Sequence, residues 1–128
     1  MAYRLSRPSA RYRRAGAVVL TGLVVLPAVL PGSGVPARAG LVDDVVLHGV
    51  AGAILAIGYA VAINENRAPS VVLGSAFLLS VVVGAGIELV QASVPGRTPA
   101  GPDLLGHTVG SALAIVAYRL AHPVIQWN

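Results

Sequence analysis

The chain has 128 residues, of which 55% are hydrophobic and 11% charged, and its mean hydropathy is +0.77. Soluble domains carry about 25% charged residues. A globule of this composition lacks the polar side chains needed to cover its surface, which excludes a soluble protein and predicts an integral membrane protein. The chain contains no cysteine, so disulfides and thiolate sites are excluded as well.

The formal net charge is +4, and the nine basic residues are all arginine. Five of them lie within the first 14 residues, directly before an apolar run. This is the flank of a membrane-insertion signal. A nucleic-acid-binding surface alternates basic with aromatic residues, and only 5% of this chain is aromatic. We therefore expect no nucleic-acid partner.

The first apolar stretch covers about residues 15–30, after a basic segment at residues 1–14. It also has the features of a secretory signal peptide, because an A-x-A-like site ends at Ala39. Cleavage after Ala39 would leave a protein of three membrane helices, whereas retention leaves four. We favour retention, for a reason given with the family resemblance below.

Three further apolar stretches cover about residues 45–63, 70–94 and 103–121, and residues 122–128 are expected to form a cytoplasmic tail. Proline and glycine lie between the stretches, where helix breakers belong. Crossing a bilayer takes about 17–25 apolar residues per helix, and these runs are too long and too continuous for strands. The sequence predicts an all-α integral membrane bundle of four transmembrane helices.

The arginines predict the orientation of the bundle. With the amino terminus inside, the five N-terminal arginines, Arg67 and Arg119 are cytoplasmic, which makes seven. The outer loops then carry Arg38 and Arg97, which makes two. This split obeys the positive-inside rule, so we expect a multi-pass protein of the cell membrane with both termini in the cytoplasm.

Rare polar residues fall at the outer ends of the last three predicted helices. Two of the pairs are four residues apart and one is three apart, so each pair shares a helical face. Small residues continue each face, which predicts that the pairs point into the bundle. The pairs are Asp44 with His48, Glu88 with Gln91, and Asp103 with His107, and the small residues are Gly52, Ala56, Gly84, Ser80, Gly110 and Ala114.

Each polar residue also has a purely structural interpretation. Asp43, Asp44 and Asp103 begin helices, where an acid caps free N–H groups. The two histidines fit hydrogen-bonded packing positions equally well. Glu88 differs, because it lies near the C-terminal end of a helix, about two turns inside the apolar boundary. A carboxylate at that position opposes the helix dipole and is costly in a membrane, which favours a functional role.

The order of these polar residues along the chain resembles that in the VanZ-like family of small membrane proteins. The matching pieces are Asp44-x-x-x-His48, then Gly86-Ile87-Glu88-Leu89-Val90-Gln91, then Pro95-Gly96-Arg97, then Asp103 with Gly110 seven residues on. The resemblance covers about residues 42–120 and implies an integral membrane protein of a family named for a glycopeptide (teicoplanin) resistance determinant. It also favours keeping the first helix, which family members usually carry.

Two positions depart from the family pattern. Val45 stands where the family often has lysine, and His107 stands where it usually has asparagine. These departures change the charge and the hydrogen-bonding groups expected at the outer site.

The leading functional hypothesis is an outward-facing polar site that binds or modifies a cell-envelope or lipid-linked anionic substrate. Glu88, Asp44, His48 and Asp103 are the candidate catalytic residues, as acid–base groups. Arg97, Gln91 and His107 are the candidate substrate-binding residues, with Arg97 placed to hold a phosphate or carboxylate. Histidines with carboxylates also suit a divalent metal, but no compact metal motif is present, so we predict neither a metal nor a cofactor.

Two alternatives remain. In a non-enzymatic membrane scaffold, the same residues would form a structural polar network in which Arg97 pairs with Glu88 or Asp103. A small transporter would need ionisable groups at the midplane or on both sides, whereas the candidates lie on one side only. The expected partners are membrane lipids, the envelope substrate and further copies of the chain in a homo-oligomer.

Overall fold

The computed structural model describes residues 8–30, 44–63, 66–95 and 101–121. These residues form four helices, each long and apolar enough to cross a membrane, and no strand. The predicted all-α four-helix bundle is confirmed, and its helices fit a multi-pass membrane protein. The helices are α1 (Ala10–Val29), α2 (Asp44–Ala62), α3 (Pro69–Gln91) and α4 (Gly101–Ala121).

The helix ends differ from the predicted ones by a few residues. α1 begins five residues before the predicted position and includes Arg11 to Arg14. Arginine is a good helix former, and no proline or glycine lies between Pro8 and Ala15, so α1 extends into the basic segment. α3 ends at Gln91, three residues before the predicted end at Val94. Pro95 disfavours helical backbone in Val94, so the helix stops short of its predicted end.

The helices alternate in direction, so α1 and α3 end where α2 and α4 begin. We call this the acidic end of the bundle, because Asp44, Glu88 and Asp103 lie there. The opposite end is the basic end, and its described arginines lie near the start of α1, in the α2–α3 turn and near the end of α4. They are Arg11, Arg13, Arg14, Arg67 and Arg119.

α2 and α4 form the most extensive helix–helix contact in the bundle. Glycines allow this approach, because a methyl group on Gly110 would overlap the backbone of Gly49. A methyl group on Gly106 would likewise meet the carbonyl of Val45. The predicted small-residue faces do lie inside the bundle: Gly52, Ala56, Ser80, Gly84 and Ala114 are all buried.

The outer surface of the bundle is apolar, as expected for helices that face lipid. Large aliphatic side chains such as Leu78, Leu89 and Leu113 are more than half exposed. α1 is the least buried helix, with Ala17 as its buried residue, and it packs on α2 and α3 but not on the described part of α4. Thr21 and Tyr59 share a hydrogen bond of 2.8 Å between α1 and α2.

Some predicted features lie outside the described residues. They are Asp43, Arg97, the A-x-A-like site ending at Ala39, and the tail 122–128.

A candidate polar site at the acidic end

Three helices each bring one ionisable side chain to the same place at the acidic end. His48 on α2 lies between the other two: its Nδ1 is 3.8 Å from Glu88 Oε1, and its Nε2 is 3.9 Å from Asp103 Oδ2. One nitrogen or oxygen from each of the three residues lies within 4.8 Å of the others. The side chains are only 12–15% exposed, so the cluster is shielded from bulk solvent but still reachable.

The direction of the helices explains why residues so distant in sequence meet. His48 lies one turn into α2, Asp103 lies in the first turn of α4, and Glu88 lies in the last turn of α3. Asp103 gains from the positive N-terminal end of its helix dipole, whereas Glu88 faces the negative end of its own. An imidazole between them can carry a proton for either carboxylate, which gives the cluster acid–base capacity.

The other predicted site residues on these helices lie beside the cluster. Asp44, the first residue of α2, is exposed. Gln91 is buried, and its Nε2 donates a hydrogen bond of 2.8 Å to the carbonyl of Ala28 on α1. Gln91 therefore ties the end of α3 to the end of α1.

His107 belongs to a second polar group, deeper in the bundle. Its ring is 0% exposed, and Nε2 lies 2.9 Å from the carbonyl of Ser80, so Nε2 carries a proton and donates it. Ser80 Oγ donates to the carbonyl of Gly52 at 3.1 Å and lies 2.9 Å from Ser111 Oγ. His107 thus acts in helix packing here, in agreement with its structural interpretation. It is not one of the three residues of the cluster, although it lines the same groove as His48.

Ser111 is a member of this buried group that the sequence pattern did not single out. It follows His107 by one helical turn, and its hydroxyl donates to the carbonyl of His107 at 2.8 Å. Its position in the sequence could have indicated this role, because Ser111 follows His107 by one turn on the face of small residues. Gly84 makes room for the histidine, because a methyl group there would lie 2.7 Å from His107 Cδ2.

A groove between α1, α2 and α3 runs beside the cluster and has a volume of about 330 Å³. Its walls are mainly aliphatic, with polar groups at the acidic end, where His48 belongs to both the groove and the cluster. Its aliphatic lining is Leu23, Val24, Pro27, Ala28, Leu47, Val50, Ala51, Ile54 and Ile87, and its polar lining is Asp44, His48, Gln91 and His107.

Comparisons of the chain with models of protein families, with curated protein sequences and with solved structures found no match.

Proposed function

We propose that this chain is a VanZ-like integral membrane protein of the cell membrane that binds or modifies an anionic, lipid-linked substrate of the cell envelope. The observation that carries the proposal is the groove, whose aliphatic walls lead to polar side chains at one end. A ligand with a long apolar tail and a charged head matches that distribution. Such pockets are mostly apolar, with a few polar groups that set the orientation of the ligand.

The head of the ligand would lie at the acidic end, beside His48 and Gln91. An imidazole N–H donates a hydrogen bond to a phosphate oxygen. Glu88 and Asp103 flank the His48 ring at 3.8 and 3.9 Å and hold it in place at this end of the groove. Arg97, which precedes the start of α4 by four residues in the sequence, is the predicted second anchor for the anion.

The separation of charge along the bundle supports the orientation of this site. The described arginines lie at the basic end, and the described acids lie at the acidic end. By the positive-inside rule the basic end faces the cytoplasm together with both termini. The acidic end then faces outward, where envelope intermediates linked to polyisoprenyl lipids would reach it.

Binding to the purified full chain in detergent tests the proposal. The probes are a polyisoprenyl phosphate, the matching polyisoprenol without phosphate, and inorganic phosphate. We expect saturable binding of the lipid phosphate with a preference of about tenfold over the alcohol, which corresponds to about 1.4 kcal/mol. Equal affinity for the phosphate and the alcohol, or binding of inorganic phosphate alone, would overturn the proposal.

A pair of isoleucines on α2 provides matched variants for the groove. Ile54 lines the groove and is 44% exposed, whereas Ile57 lies outside it and is 40% exposed. Ile54→Trp should fill the groove and abolish binding of the lipid phosphate, and Ile57→Trp should bind it like the wild-type chain. Loss of binding in both variants, or in neither, would contradict a ligand in this groove.

A membrane scaffold is the second candidate function, and the buried group of His107, Ser80 and Ser111 favours it because that group is structural. Glu88→Gln separates the two functions, since it removes the charge and keeps the shape. If Glu88 belongs to the ligand site, the variant should have a changed affinity for the lipid phosphate at unchanged stability. If Glu88 is instead a buried structural partner of Arg97, the variant should lose about 3–5 kcal/mol of unfolding free energy. The Glu88→Gln/Arg97→Gln double variant should then recover stability relative to the single variant.

A further inference from the structure

The cluster of His48, Glu88 and Asp103 has the composition of a metal site. It offers one imidazole nitrogen and two carboxylate oxygens, and these three atoms lie within 4.8 Å of one another. Each ligand comes from a different helix, and none of the side chains is more than 15% exposed. We propose that the acidic end binds one divalent transition-metal cation, such as Zn²⁺ or Mn²⁺, between these three residues.

The distances leave room for an ion. His48 Nδ1 is 3.8 Å from Glu88 Oε1 and His48 Nε2 is 3.9 Å from Asp103 Oδ2, both beyond hydrogen-bond range, and one ligand atom from each of the three residues lies within 4.8 Å of the others. Around a tetrahedral Zn²⁺ with bonds of about 2.0–2.2 Å, neighbouring ligand atoms lie about 3.4 Å apart. The three ligand atoms lie within 4.8 Å of one another, so rotation of the side chains brings them to bonding positions around the ion. An imidazole supplies one nitrogen to the ion, and both carboxylates converge on it from the neighbouring helices.

The ligand types select the class of cation. Imidazole nitrogen suits zinc, copper, iron and nickel, and carboxylates suit manganese, whereas magnesium and calcium are bound mainly by oxygen. A chain without cysteine offers no thiolate for a soft monovalent ion. Three protein ligands also leave a coordination position open, as in zinc sites that bind water or a substrate oxygen.

The cation site goes beyond the proposed lipid ligand and does not depend on it. It also removes an electrostatic conflict in that proposal, because an anionic head next to Glu88 and Asp103 is repelled by their charges. A divalent ion between the carboxylates reverses the sign of the local charge.

Metal binding by the full chain tests the inference. The chain is purified in detergent without added lipid, and a chelator removes any metal already bound. Equilibrium dialysis with Zn²⁺ or Mn²⁺ should give one ion per chain, and Co²⁺ should give visible absorption bands typical of mixed nitrogen and oxygen ligands. Mg²⁺ should compete poorly. Because the loss of a supporting residue already weakens metal affinity by about 10–100-fold, His48→Gln, Glu88→Gln and Asp103→Asn should each weaken it at least about tenfold.

Two variants control for unspecific binding. Glu65→Gln removes a carboxylate from the connection between α2 and α3, and His122→Gln removes a histidine that follows α4 in the sequence; both should keep the wild-type affinity and stoichiometry. The absence of saturable Zn²⁺ or Mn²⁺ binding, or equal affinity in the wild type and all three ligand variants, would overturn the site. If one ligand variant does not fold, the other two variants and the Co²⁺ spectrum still show whether the three residues bind a metal ion. Since no lipid is present, this outcome is separate from the test of the proposed substrate.

Discussion

The Ser80 hydroxyl connects three helices at the centre of the bundle. It lies on α3, donates to the Gly52 carbonyl on α2, and contacts His107 and Ser111 on α4. Buried polar groups of this kind hold membrane helices together where water cannot replace their hydrogen bonds. Ser80 is 0% exposed, so no solvent compensates for its loss.

We therefore expect Ser80→Ala to destabilise the bundle. Interhelical hydrogen bonds in membranes average about 0.6 kcal/mol each, so loss of the serine hydroxyl should cost about 1 kcal/mol of unfolding free energy. Ser75→Ala, on the same helix and outside this polar group, should have the wild-type stability. Unfolding in detergent, followed by circular dichroism, measures the difference; equal stability of the two variants would show that Ser80 does not hold the helices together.

At the scale of the helices, close packing depends on glycine. α2 and α4 approach so closely that a methyl group on Gly110 would overlap the backbone of Gly49, whereas a methyl group on Gly86 of α3 would meet nothing within 4 Å. The two glycines thus play different roles, although both belong to the motifs of the family resemblance.

Gly110→Ala should separate α2 from α4 and lower the thermal stability of the bundle, because backbone atoms have to move apart. Gly86→Ala is the matched control and should be neutral or slightly stabilising, since alanine favours a helix by about 1 kcal/mol over glycine. Thermal unfolding of the two variants in the same detergent gives the comparison. A Gly110→Ala protein as stable as Gly86→Ala would contradict close backbone packing between α2 and α4.

The helices and their inward faces could be predicted from the sequence, because apolar length and spacing of three or four residues determine them locally. The division of the polar residues into two groups could not. Spacing places Asp103 and His107 on one face, but it does not show that His48 contacts Asp103 while His107 contacts Ser80. That choice depends on how deeply α3 and α4 lie relative to each other, and the close packing of Gly84 against the His107 ring is one contact that sets this depth.

At the scale of the whole molecule, charge is distributed along the bundle axis. The described arginines gather where α1 and α3 begin, and the described acids gather at the opposite end. Such an asymmetry sets the orientation of a small membrane protein, because basic segments are retained in the cytoplasm during insertion. It also places the cluster of His48, Glu88 and Asp103 and the polar end of the groove on one side of the membrane.

The last prediction is that the acidic end faces outward. A cytoplasmic reporter fused after Asn128 should be active, and a reporter for the exterior should be active when inserted within residues 96–101, between α3 and α4. The reverse pattern would refute the orientation. As a control, replacing Arg67 and Arg119 by glutamine should weaken the preference for this orientation, since both arginines lie at the basic end. Sequencing of the mature amino terminus completes the test: a start at Gly40 would mean that α1 is removed, and that the groove loses the wall formed by Leu23, Val24 and Pro27.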